Sequence, residues 1–192
     1  MKKLLLFVAL SLGSIVVNAQ EWNLDTYHSS VNFSITHMVV SEVSGSFKKF
    51  SSNVESVKAD FSDAKISFTI DANSVNTDNE DRDKHLKGGD FFETEKYPEI
   101  KFVSSSLKMI NGKTYELKGN LTMHGVTKPV VFQLIFNGVV KDPYGLQRAG
   151  FKAKTTVKRT DYGLIWNKTL EAGGVILSDD VDVVVNIELT KK

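Results

Sequence analysis

The feature that most constrains this chain is a period-two alternation of apolar and polar residues along almost its whole length. Val31, Phe33 and Ile35 alternate with Asn32, Ser34 and Thr36, and Ile66, Phe68 and Ile70 alternate with Ser67, Thr69 and Asp71. Ile100 and Phe102 repeat the pattern, followed by Leu117, Gly119, Leu121 and Met123. Val130, Phe132, Leu134 and Phe136 come next, then Phe151, Ala153, Thr155 and Val157. Near the end Val181, Val183, Val185, Ile187 and Leu189 stand against Asp180, Asp182, Asn186 and Glu188. Successive side chains of a strand point to opposite faces, so each run carries one apolar and one wet face, the mark of antiparallel sheet. Asn111-Gly112 favours a tight hairpin, and Asp142-Pro143-Tyr144-Gly145 favours a turn. The reading is about eight strands joined mostly by short turns.

Several strands are long. Asp180–Lys191 and Val126–Val140 each have room for ten residues or more, against a usual mode of about 5–6. At ~3.3 Å per residue and a tilt of about 40°, such strands close into a barrel roughly 25–30 Å tall. Only one stretch reads as helix, so little is available to cover a sheet from outside. The apolar faces must then point inward, into a closed barrel or between two sheets. The fold class is all-β: one eight-stranded antiparallel barrel with a short helix near a barrel mouth. A tall, narrow, apolar interior suits a long-chain ligand better than a compact one.

Residues 1–19 read as a secretory leader. Lys2 and Lys3 precede the apolar run Leu4–Val17, and Val17-Asn18-Ala19 offers a small-residue cleavage site. The mature domain is then 20–192, with no further segment of spanning length, expected in the periplasm or secreted. Removing Lys2 and Lys3 from 24 basic residues leaves them one short of the 23 acidic ones. That balance argues against nucleic acid as a partner. The chain has no cysteine, which excludes disulfides, thiolate metal sites and a cysteine nucleophile.

Residues 82–92, RDKHLKGGDFF, interrupt the alternation. Thr77 and Glu80 fit a capping box and Gly88-Gly89 a stop, so the spacing predicts a helix over Asp78–Lys87. At 100° per residue Glu80, Asp83, Lys84 and Lys87 form a solvated face, paired as Glu80–Lys84 and Asp83–Lys87. Arg82, His85 and Leu86 share the other face. Cation, imidazole and leucine together suit a lid over a barrel mouth. They are the candidates for contact with a ligand headgroup, beside a purely structural role. Phe91 and Phe92 are expected to anchor the returning chain before a strand over Glu99–Met109.

Catalytic and metal signals are weak. His28, His37, His85 and His124 form no close pair, and no nucleophile elbow, phosphate-binding loop or dinucleotide fingerprint is present. No catalytic residue, metal or cofactor is expected. His37 shares the inward parity of Phe33 and Ile35, which makes it the histidine best placed to face the interior with His85.

The order and spacing of short motifs resembles the YceI-like family of polyisoprenoid-binding proteins. The motifs run from Trp22-Asn23-Leu24-Asp25 and His28-Ser29 through His37-Met38, Gly45-Ser46-Phe47 and Ser74-Val75-Asn76-Thr77. They continue through Arg82-Asp83-Lys84-His85-Leu86, Asp90-Phe91-Phe92 and Tyr97-Pro98-Glu99-Ile100-Lys101-Phe102. The most specific is Gly119-Asn120-Leu121-Thr122-Met123-His124-Gly125-Val126-Thr127-Lys128-Pro129-Val130, followed by Ala149-Gly150-Phe151 and Arg159-Thr160-Asp161-Tyr162-Gly163. The loop from Trp166 to Ile176 is bulkier than the family pattern. The resemblance implies a lipocalin-like barrel with an elongated apolar pore holding an isoprenoid chain, export to the periplasm, and carriage or storage without chemistry.

The candidate pore lining is then Phe33, Ile35, His37, Phe47, Phe68, Phe102, Leu121, Phe132, Leu134, Phe136, Phe151, Val183 and Val185. The expected partner is a long-chain isoprenoid lipid, a quinone or a polyprenyl species. Two other readings stand beside it: an enzyme acting on an apolar substrate through His37, His85 or His124, and a ligand-free structural or stress protein. Ten buried CH₂ groups give roughly 8 kcal/mol before ordering costs, near micromolar affinity. A bilayer offers a tail almost the same stabilisation, so extraction needs a headgroup contact or a pore fitted to branched isoprene.

Overall fold

The computed structural model describes residues 20–171 and 173–191. The leader, residues 1–19, lies outside the described residues. Eleven strand segments form one antiparallel sheet: β1 (Gln20–Leu24), β2 (Ser30–His37), β3 (Ser41–Phe47), β4 (Phe50–Ser56), β5 (Lys65–Asp71), β6 (Val75–Asn76), β7 (Glu99–Asn111), β8 (Thr114–Met123), β9 (Val126–Lys141), β10 (Gln147–Lys158) and β11 (Leu177–Lys191). One α-helix, α1 (Glu80–Lys87), follows β6.

The eleven segments make eight staves, because three staves are interrupted. β11 pairs with β2 from Leu177↔His37 to Asn186↔Ser30 and continues onto β1 at Leu189↔Leu24 and Thr190↔Asn23. β1 and β2 are thus one broken strand. β4 and β3 pair with β1 and β2 in the same sense, and β5 and β6 follow on their far edge. β7 to β11 complete an up-and-down meander, and the β1–β11 pairing closes it into a barrel without a free edge there.

The breaks have local causes. Asp25 Oδ1 accepts from the N–H groups of Tyr27 and His28, which turns the chain out between β1 and β2. Asp71 accepts from Asn73 N–H, and the short 3₁₀ turn Ala72–Ser74 separates β5 from β6. Lys48 N–H donates to Ser74 O and Lys49 N–H to Ser74 Oγ, so the turn between β3 and β4 and the break between β5 and β6 support each other.

Alternation decides which side chains enter the barrel. Tyr115, Leu117, Leu121 and Met123 of β8 are buried, while Lys118 and Asn120 are exposed. The Asn111-Gly112 hairpin joins β7 to β8 with Gly112 at φ +43°, and the 142–146 turn joins β9 to β10. A bulge at Gly150/Phe151 pairs Gly150 with Gly138 and Phe151 with Phe136. It leaves Asn137 as the extra residue on β9.

One end of the barrel is stoppered. The loop between β4 and β5 folds under the floor and drives in Phe61, which is 1% exposed and adopts φ +59°. Its ring lies 4.9 Å from Phe151, 5.0 Å from Trp22 and 5.5 Å from Phe136, centroid to centroid. Tyr115 donates to Asp60 O at 2.8 Å, and Asp63 accepts from Ser56 Oγ and from the N–H groups of Val57 and Lys58. Burial works to raise the Asp63 pKa, yet those donors hold it below the ordinary carboxylate range.

Candidate functional site

Above Phe61 the barrel encloses a cavity of about 500 Å³ whose wall is almost wholly apolar. β2 contributes Phe33, Ile35 and His37, and β3 contributes Phe47. Phe68, Phe102 and Leu121 come from β5, β7 and β8. Phe132 and Leu134 of β9, Phe151 of β10, and Val183 and Val185 of β11 complete the ring.

Phe136, expected in this lining, does not border the cavity. It points inward, but it stacks on Phe151 at 5.1 Å and packs against Phe61, so it belongs to the floor. The reason is the plug: the 57–64 loop fills the lower barrel that an unstoppered reading assigns to ligand.

The other end opens beside α1. Arg82, His85 and Leu86 all border the cavity there, with Phe91 and Phe92. Phe92 packs edge-on against Phe47 at 5.7 Å, and Phe91 is buried. His85 stands half-exposed at the rim, its Nε2 2.9 Å from Asp90 Oδ2, its ring edge-on to Phe91 at 5.0 Å and to Trp166 at 5.2 Å.

The helix starts differently from the capping-box reading. It begins at Glu80, and Asn79 is the cap, its Oδ1 accepting from Arg82 N–H. Asp78 takes φ +57° ahead of it. Thr77 is buried and serves another purpose: its N–H and hydroxyl both donate to Asp83 Oδ1, at 2.8 and 2.6 Å. Arg82 Nε donates to Thr77 Oγ1 at 2.8 Å, and Arg82 Nη2 to Thr77 O at 2.7 Å. Asp83 therefore turns inward and not to water, and the expected pairs Glu80–Lys84 and Asp83–Lys87 do not form. A carboxylate offered two convergent donors in a buried site gains more than one facing a solvated lysine. Lys84 is exposed and Lys87 half-buried. The stop at Gly88 is extended, at φ −78°.

Among the described residues, two buried side-chain polar atoms of the wall residues have no hydrogen-bond partner. One is Ser52 Oγ on β4. The other is Nη2 of Arg159, which was not among the expected site residues. Arg159 opens the 3₁₀ turn Arg159–Tyr162 after β10 and is only 4% exposed. Its Nε donates to Ser178 O at 2.8 Å, and its Nη1 to Leu164 O and to Trp166 O at 3.0 Å. Burial lowers its pKa, and the nearby Asp179 carboxylate works in the other direction.

The histidines do not converge. His37 borders the cavity and His85 its rim. His124, at φ +50°, sits behind the wall: Nδ1 donates to Tyr162 O, and Nε2 comes to 3.5 Å from Glu93. His28 pairs with Asp25 on the outside. Among the described residues no imidazole is hydrogen-bonded to a serine or threonine hydroxyl. Asp25, His28 and Glu188 lie close enough to share a metal ion. Arg148 Nη1 already donates to both carboxylates, at 2.9 Å to Asp25 and 2.5 Å to Glu188.

A closed antiparallel barrel with a plugged floor, an apolar interior and a helix beside its other end defines a binding barrel for an apolar molecule. Within that class the chain belongs to the YceI-like family: the model of the YceI-like domain matches residues 22–189. It is 38% identical over 193 residues to a UPF0312 protein of Pseudomonas putida (strain F1), covering 97% of each chain. It is 30% identical to the YCEI protein of Campylobacter jejuni, with a TM-score of 0.68 over 82% of this chain and 90% of that one. A polyisoprenoid binding domain from Saccharophagus degradans, implicated in plant cell wall breakdown, shares the fold. There the identity is 17% and the TM-score 0.66, over 90% of this chain and 99% of that one.

Proposed function

We propose that the protein is exported and holds the tail of a long-chain isoprenoid lipid, of quinone or polyprenyl type, in the barrel, for carriage or storage. The observation that carries this reading is the apolar cavity above Phe61, bordered at its far end by Arg82, His85 and Leu86 of α1. Membership of the YceI-like family and the binding named for the Saccharophagus degradans domain support it. At about 30 Å³ per water-sized group, 500 Å³ takes roughly seventeen heavy atoms, or about three isoprene units. A longer chain leaves its remaining units at the mouth. About fifteen buried carbons at about 0.8 kcal/mol each give ~12 kcal/mol before ordering costs.

Native mass spectrometry of the purified protein, with organic extraction of what co-purifies, tests the ligand. An adduct that releases a prenyl lipid is the expected result. Protein that carries none, and takes up none from prenyl-lipid vesicles, overturns the reading. The intact mass of protein recovered from the producing cell tests export, through cleavage before Gln20. No helix among the described residues is long and apolar enough to cross a membrane.

A further inference from the structure

The turn between β2 and β3 is built against local preference. Val40 N–H donates to His37 O at 3.2 Å, which makes Met38 and Val39 its two central residues. Both have positive φ, +51° and +64°. Turns of that kind favour Asn-Gly, and a β-branched residue at positive φ is strained. The chain closes the β7–β8 turn with Asn111-Gly112, yet places Met-Val here. The tip is also wet: Val39 is 75% exposed and Val40 85%, with Met38 exposed beside them. Three consecutive apolar residues in water at a strained turn are doubly unfavourable unless the tip serves an interaction.

The tip stands at the α1 end of the barrel and adjoins the cavity wall. Met38 N–H donates to Ile176 O at 2.7 Å, which ties the turn to the loop leading into β11. His37 pairs with Leu177, and His37, Ile176 and Leu177 all border the cavity. The same loop carries Trp166, whose ring lies 5.2 Å from that of His85 in α1, and it exposes Ile165 and Val175. Apolar surface therefore passes from the wall at Ile176 to Val175 on one side and to the Met38 tip on the other.

These five exposed side chains are far fewer than the ~20–30 residues a side of a stable protein interface. A fluid bilayer needs no matching surface and takes up apolar side chains in proportion to the area they bury. Charge is balanced here. Residues 37–41 contain no Asp, Glu, Lys or Arg, and residues 163–177 carry Lys168 and Glu171 alone. An anionic leaflet is drawn to basic clusters, so this surface suits neutral lipid.

We propose that the Met38-Val39-Val40 turn, with Ile165 and Val175, inserts into the surface of a neutral lipid bilayer and sets the α1 end of the cavity against it. This rests on the isoprenoid reading above and adds the route: the tail passes between bilayer and barrel along apolar surface.

The test floats the purified protein with phosphatidylcholine vesicles that hold no prenyl lipid. Wild-type protein should float with them, and salt should change this little. Met38→Asn combined with Val39→Gly should raise the melting temperature, because Asn-Gly suits the turn, and weaken vesicle binding about tenfold. Val40→Ser should weaken it about threefold. Ile110→Ser, at an exposed residue of the plugged end, should leave it unchanged. None of these four residues borders the cavity. Uptake of a long-chain prenyl quinone from cyclodextrin should therefore match wild type in every variant, while uptake of the same quinone from vesicles should slow in step with vesicle binding. Wild-type protein that does not float, binding abolished by salt, or equal rates of uptake from vesicles in wild type and the Asn-Gly variant overturns the docking. A wild-type dimer that the Asn-Gly variant disperses also overturns it, in favour of a second copy of the chain. Absence of quinone uptake from cyclodextrin in every protein overturns the isoprenoid reading instead, and flotation still decides the docking.

Discussion

Replacing Phe61 with alanine removes the stopper from the barrel floor. Phe61 is 1% exposed and its ring touches Trp22, Phe136 and Phe151 within 5.5 Å between centroids. Truncating a buried phenylalanine costs about 3–5 kcal/mol, and each aromatic contact adds ~0.5–1.5 kcal/mol to what burial alone gives. Phe61 borders the cavity on its upper side, so its packing is one-sided and the lower end of that range, about 3 kcal/mol, applies. Alanine keeps the same left-handed backbone at φ +59°, so the difference reports packing and not strain. The missing ring also deepens the cavity by room for about one further isoprene unit. Urea unfolding of the lipid-free protein measures the first effect. Binding of prenyl lipids of increasing tail length measures the second, and the best-bound tail should lengthen by about one unit. A loss below about 1 kcal/mol together with an unchanged tail-length preference would refute the view of Phe61 as a packed floor.

Tyr115→Phe removes the donor to Asp60 O that holds the plug loop and should cost about 1 kcal/mol in urea unfolding, with the barrel otherwise intact. Thr77→Val strips both Asp83 and Arg82 of their shared hydroxyl; a loss of about 1–3 kcal/mol and faster amide exchange in α1 are expected. Gly119→Ala would place a Cβ 2.4 Å from the Phe102 ring and from Val103 O, so the variant should lose stability and bind prenyl lipid more weakly, as titration would show. Arg148 first, then the N–H groups of Leu146 and Tyr144, hold the Asp142 carboxyl below its ordinary value against a smaller effect of burial. A depressed folded pKa stabilises above the unfolded value of about 3.9 and is lost as pH falls through the folded one. The melting temperature should therefore drop below about pH 4, and Asp142→Asn should flatten that drop.

Most of the barrel was legible because alternation is a local signal. Val183 and Val185 reveal their face from their neighbours alone, and so do Phe132 and Leu134. Breaks in a stave were not legible. β1 carries no alternating run that marks it as a strand, and only the shared partner β11 shows that it and β2 make one stave. Phe61 was missed because it lies in a loop outside any alternating run, and a plug is defined by tertiary contact. Phe136 was misplaced for the same reason. Arg159 follows directly on the β10 parity of Val157, yet a cation at an inward position reads as a strand end and not as cavity wall. The helix face was read correctly for Arg82, His85 and Leu86. Its cap was not, because Thr77 satisfies the capping pattern while Asn79, two residues on, serves as the cap.

The wall itself is preset, which bears on where binding energy is lost and gained. Gly45 leaves room for the Phe33 ring, whose Cζ would lie 2.4 Å from a Cβ there, and Gly119 does the same for Phe102. Both rings are thus laid against glycine backbone on neighbouring strands, and Phe47, itself backed by Phe92, packs against Phe33. Side chains already fixed in the empty barrel lose little freedom when a tail enters, so the tail contribution survives with small ordering losses. Fixed walls also cannot close on a thinner chain, which disfavours straight alkyl tails that leave gaps beside the rings. The floor sets how much tail is held, the glycine-backed rings set how wide it is, and neither sees the headgroup. Discrimination between lipids that share a tail then falls to the mouth, where Arg82 and His85 border the cavity.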